Sequence, residues 1–182
     1  MSSLTLSNTT SYIAQFVVYR GEQVIARLPG LAQGAQLRVP VTDTFQVVAT
    51  TMIEGNTYTS APLEVTGAAC FLAQVRQHAT QGTYEFEVVQ LASSRPDQLQ
   101  FQKTSLAPVT FTLSRNGVKL QSVVVNDSFR IQTLNIGDTY SIYAIINGIT
   151  TDTVTITNPD ATITAVADTS VMQDGYFTLQ VS

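Results

Sequence analysis

Charge is scarce in this chain. Asp, Glu, Lys and Arg make up 12% of its 182 residues, against roughly 25% in an ordinary globular domain. The nine Lys and Arg residues are scattered singly and the net charge is −4. Phosphate binding needs clustered cations, so a nucleic-acid partner is excluded. There is one cysteine, Cys70, which excludes an intrachain disulfide. It lies in the apolar run Ala68-Ala69-Cys70-Phe71-Leu72 and reads as a small buried hydrophobe. There is one histidine, His78. A catalytic triad or a zinc site would have to be built on it alone, in what reads as the polar loop Arg76–Gly82. No window approaches the roughly 20 apolar residues of a membrane helix. The amino terminus, Met1-Ser2-Ser3-Leu4-Thr5-Leu6-Ser7, has neither the basic region nor the apolar core of a secretory signal. The expectation is therefore synthesis in a cytoplasm.

In place of charge the chain carries Thr, Ser, Gln and Asn, as in Thr150-Thr151-Asp152-Thr153-Val154-Thr155-Ile156-Thr157. Helical periodicity is missing, whereas alternation with period two and β-branched residues recur throughout. Tyr84, Phe86 and Val88 alternate with Glu85 and Glu87, as a strand with one dry and one wet face requires. Asn116-Gly117 and Asn147-Gly148 signal type I′ hairpins, whose two central residues need positive φ. Many short strands with regular turns predict an all-β protein of sandwich type.

The two halves also match. Phe16-Val17-Val18-Tyr19-Arg20-Gly21 is similar to Phe111-Thr112-Leu113-Ser114-Arg115-Asn116-Gly117. Thr44-Phe45-Gln46-Val47-Val48-Ala49 is similar to Thr139-Tyr140-Ser141-Ile142-Tyr143-Ala144, and Gly82-Thr83-Tyr84 to Gly175-Tyr176-Phe177. A collinear series of this kind predicts an internal duplication. The expected architecture is two tandem immunoglobulin-like (Greek-key) β-sandwich domains, 1–91 and 104–182, joined by a short linker at 92–103.

Chemical signatures are weak. Glu85 and Glu87 share one face of a strand, a spacing that paired acids of a glycosidase could use, but the wet face of an amphipathic strand is the better reading, since Thr178 and Gln180 take the matching places in the second half. Asp127, Asp138, Asp160, Asp168 and Asp174 do not form the ordered loop that calcium requires. No phosphate-binding glycine loop is present. The expectation is a non-enzymatic protein with no catalytic residue, cofactor or metal. Around Tyr140–Ile146 both faces of the strand are apolar. A sandwich strand needs only one dry face, which makes Tyr143 and Ile145 candidate subunit-interface residues. The leading functional expectation is a structural or assembly protein, such as a phage virion component (tail, fibre, spike or capsid accessory). It would self-associate as a homo-oligomer or dock on a larger particle, and so work in a virion or extracellular particle. A carbohydrate-binding or adhesive module is the alternative, with a glycan held by tyrosines such as Tyr12 and Tyr58. A leaderless toxin acting on membranes ranks third.

Overall fold

The computed structural model describes residues 1–41, 44–78, 80–168, 170 and 176–182. Among them are eighteen strands and no helix. The first nine are β1 (Ser3–Asn8), β2 (Ala14–Arg20), β3 (Gln23–Leu31), β4 (Gln36–Pro40), β5 (Thr44–Ile53), β6 (Asn56–Thr59), β7 (Leu63–Thr66), β8 (Cys70–His78) and β9 (Thr83–Leu91). The rest are β10 (Gln98–Lys103), β11 (Val109–Arg115), β12 (Val118–Val125), β13 (Gln132–Asn135), β14 (Tyr140–Ile146), β15 (Ile149–Thr150), β16 (Val154–Ile156), β17 (Thr162–Ala167) and β18 (Phe177–Val181). The expected hairpin signals hold. Asn116 and Gly117 have φ of 50° and 79°, and Asn147 and Gly148 of 50° and 75°, the left-handed pair of a type I′ turn.

The strands form two compact units. Unit 1 combines Met1–Thr42 with Asp138–Ser182, and unit 2 is Asp43–Gly137. In unit 1 one sheet has the order β18-β17-β1-β4, and the other β15-β14-β2-β3 with β16 also on β14. Leu4, Leu6 and Ile163 from the first sheet close on Phe16, Val18, Ile142 and Ala144 from the second. Unit 2 repeats this plan with β13-β10-β8-β9 and β12-β11-β5-β6, with β7 also on β5. Its core joins Phe71, Leu99 and Phe101 to Phe45, Val47, Phe111 and Leu113. Each unit is thus two sheets closed on one dry centre, because alternation sends every second side chain inward.

The pairing registers make the units equivalent strand by strand. β1 pairs parallel with β17 and antiparallel with β4, as β10 does with β8 and β13. β2 lies between β3 and β14, as β11 lies between β12 and β5. Buried Leu4, Phe16, Tyr140, Ile163 and Phe177 therefore occupy the places of Leu99, Phe111, Phe45, Phe71 and Phe86. Even a buried hydroxyl recurs. The Ala49 amide donates to Ser60 Oγ at 2.9 Å, and the Ala144 amide to Thr151 Oγ1 at 3.0 Å.

Three features differ from the sequence-based expectation. First, the compact units do not follow a cut at 92–103. Each unit takes four strands from one half of the chain (β1–β4 or β10–β13) and five from the other (β14–β18 or β5–β9). Second, residues 98–103 are not linker but the paired strand β10, whose Leu99 and Phe101 are fully buried. Its outward Gln98, Gln100 and Gln102 gave it the look of a polar spacer. Third, each unit contains a parallel pair, β1 with β17 or β10 with β8, which purely antiparallel Greek-key sheets lack.

Candidate functional site

The outward face of unit 1 carries the feature that singled out Tyr143 and Ile145. Ile142, Ala144 and Ile146 point into the core, so Ser141, Tyr143 and Ile145 face outward, and Tyr143 and Ile145 are half-buried. Tyr143 sits opposite Val17 on β2, and Tyr19 opposite Val24 on β3. Val17 and Val24 are 6% and 1% exposed, yet neither belongs to the core cluster. The rings of Tyr19 and Tyr143 stack with centroids 6.3 Å apart. Burial raises the Tyr19 hydroxyl above its ordinary pKa, with the Tyr143 hydroxyl adding to the shift and Arg27 opposing it. The structure therefore brings both expected residues into one apolar patch, and adds Val17, Tyr19 and Val24 to it. Val17 and Tyr19 were legible in Phe16-Val17-Val18-Tyr19, which is apolar on both faces just as Tyr140–Ile146 is, whereas Val24 joins them only through the β2–β3 pairing.

The equivalent face of unit 2 is different. Val48 and Thr50 stand where unit 1 has Tyr143 and Ile145, and Thr112, Ser114 and Lys119 replace Val17, Tyr19 and Val24. That face lacks aromatic rings, although it exposes Met52 on β5 and Val124 on β12.

Comparison with protein-family models, curated proteins and solved structures finds no match. The functional reading therefore rests on the geometry.

The remaining candidates have structural roles. The Cys70 thiol is 5% exposed and burial raises its pKa, opposed by a hydrogen bond from Gln102 Nε2 at 3.3 Å. A thiol so placed is a poor nucleophile. Glu87 accepts an ion-paired hydrogen bond from Arg76 Nε at 2.7 Å, consistent with a cross-strand contact on a wet face. The backbone of His78 ends β8, opposite Thr83, so Arg76, Gln77 and His78, read as loop, belong to the strand. Asp174, one of the loop acids, lies outside the described residues. Among the described residues no cluster of three or more His, Cys, Asp and Glu could hold a metal ion. No helix among them is long and apolar enough to cross a membrane.

One buried charge escaped the sequence reading because it falls in the supposed linker. Lys103 is 2% exposed, and its ammonium donates to Ser105 O at 2.7 Å, Leu106 O at 3.4 Å and Ser128 Oγ at 3.1 Å. Its counterpart in unit 1 is Asn8, whose Nδ2 donates to the carbonyls of Tyr12 and Leu31 at 2.7 Å each. Both side chains fasten the β1–β2 or β10–β11 connection from inside, which satisfies carbonyls that would otherwise be buried without donors. A hollow in unit 2 of about 190 Å³ is lined by Thr44, Gln46, Glu64, Arg115 and Asn116. It falls short of the roughly 300 Å³ of small-molecule sites, and it favours neither sign of ligand.

Proposed function

We propose that this protein is a non-enzymatic structural subunit that associates with itself or docks into a larger particle, as components of a phage virion do. The observation that carries this reading is the contrast between the two outward faces. Two units with one register keep equivalent core positions, yet only unit 1 carries stacked, half-buried tyrosines on that face, beside Val17, Val24 and Ile145. A stacked aromatic pair present on one of two otherwise matched faces suits a contact surface, where aromatic residues are enriched. The low-charge, Thr-rich exterior supports it, because such a surface repels copies of itself only weakly. We also infer that the matched registers descend from an internal duplication.

The test is the double variant Tyr143→Val/Ile145→Thr, which gives unit 1 the side chains that Val48 and Thr50 supply in unit 2. Light scattering over rising concentration should show association in the natural chain and a clear loss of it in the variant. A monodisperse monomer at high concentration for both chains contradicts the reading.

A further inference from the structure

Unit 2 is one unbroken stretch, whereas unit 1 is made from the two ends of the chain. β1–β4 and β14–β18 meet by lying side by side, β1 on β17 in one sheet and β2 on β14 in the other. The two ends share one core, in which Leu4, Leu6, Phe16 and Val18 from one pack with Ile142, Ala144 and Ile163 from the other.

The seams are matched by size. Across β2–β14, Ala14 faces Ile146 and Val18 faces Ile142. Across the equivalent β11–β5 seam, Val109 faces Thr51 and Leu113 faces Val47. Had each repeat closed on itself, Ala14 would meet Thr51 and Val18 would meet Val47, leaving voids. Val109 would then meet Ile146 and Leu113 would meet Ile142, overfilling the other core. Three aromatic pairs span the same divide, while Phe101–Phe111 lies within β10–β11. Tyr19–Tyr143 at 6.3 Å, Phe71–Phe101 at 5.4 Å and Tyr12–Phe177 at 5.8 Å each join a residue of β1–β9 or its connections to one of β10–β18. Self-closure of the repeats would part all three. The first four strands are therefore fitted to the last five, whichever copy of the chain carries them.

That fit has two solutions. A chain can close on its own ends, or the ends of successive copies can close on each other in a heterologous contact that propagates. We propose that unit 1 is an assembly joint in which β1–β4 of one copy complete β14–β18 of the next, while unit 2 stays within each chain. The proposal rests on the self-association reading above and names its partner, a second copy, since this chain supplies the size-matched seam.

Gln15 and Ile145 lie opposite each other across β2–β14 on the outward face. Directly opposed antiparallel residues sit about 4.5–5.5 Å apart, within disulfide range. The full chain carrying Gln15→Cys/Ile145→Cys in a Cys70→Thr background, Thr being the residue at the equivalent place in β17, is oxidised at rising concentration and run on a non-reducing gel. The expected result is a shift from an intrachain-linked monomer to a ladder of covalent oligomers. The control Thr50→Cys/Thr110→Cys spans the unit 2 seam and should stay intrachain throughout. If the first variant does not fold, Tyr19→Cys/Ser141→Cys reads the same seam. Oligomers whose joint cysteines remain wholly intrachain overturn the exchange and leave self-association standing. A variant that is monomeric and intrachain-linked at every concentration overturns the exchange, and a natural chain that is monomeric at every concentration overturns both.

Discussion

Units 1 and 2 share a pairing plan and a core, and differ in what they show to solvent and in how the chain supplies them. Inward positions keep their character: Phe16 and Phe111, Ala144 and Ala49, Ala165 and Ala73 are all buried. Outward positions differ, with Tyr143 and Ile145 in unit 1 where unit 2 has Val48 and Thr50. Packing constrains the first set and leaves the second free, so the outward set is where a role peculiar to unit 1 would be written. The fastening side chain has changed too, from Asn8 to Lys103, with its carbonyl-bonding task intact. Two chemistries can thus serve one place in a fold, provided that the buried acceptors are met.

The sharpest break in this comparison should come from the rings of unit 2. Phe101 packs against Phe71 at 5.4 Å and Phe111 at 5.1 Å, whereas its counterpart Leu6 faces Ile163. Phe101→Ala should destabilise unit 2 by about 3–5 kcal/mol, and Leu6→Ala should destabilise unit 1 by about 2–5 kcal/mol. Hydrogen exchange resolved by strand would assign each loss to its own unit. Equal loss of protection in both units after either change would mean that they are not separate cores.

The size code across the seams predicts a smaller, conditional effect. Ala14→Val alone should cost about 1–3 kcal/mol by overfilling the seam. Adding Ile146→Thr copies the Val109–Thr51 pair and should recover part of that loss, giving a coupling of about 0.5–3 kcal/mol in a double-mutant cycle. Additive losses would show that these residues do not read each other.

The least of the effects is a pH dependence peculiar to unit 1. The Tyr19 pKa is raised, first by burial and then by Tyr143, so folding favours its neutral form. The resulting stability is complete below the unfolded tyrosine value of about 10 and is lost as pH climbs through the higher folded value. In an ultraviolet titration Tyr19 should ionise late, and Tyr19→Phe should remove that late component. An unchanged titration would contradict the buried placement of the hydroxyl.

Strand periodicity and hairpin chemistry made the all-β class, the two Asn-Gly turns and the outward placing of Tyr143 and Ile145 legible from residues alone. The division into units was not legible, for a physical reason. Periodicity reports which face of a strand is dry, but not which other strand dries it. Val18 reads as a core residue whether Val47 or Ile142 lies across from it, and only the comparison of both seams shows which partner fits. β1 and β10 were missed for a related reason. In Ser3-Leu4-Thr5-Leu6-Ser7 and Gln98-Leu99-Gln100-Phe101-Gln102 two apolar residues are set among polar ones, so the strands look like polar tails. Their burial comes from the parallel neighbours β17 and β8, which lie far away in sequence.

The claim most in need of trial is that each unit draws on both repeats. A protease site inserted between Ser94 and Arg95, in the exposed turn joining β9 to β10, would allow the two repeats to be cut apart in the folded chain. Interleaved strands should hold the fragments together through size-exclusion chromatography in native buffer, and release them only in denaturant. Fragments that part on cleavage, each still folded, would show that every repeat closes on itself.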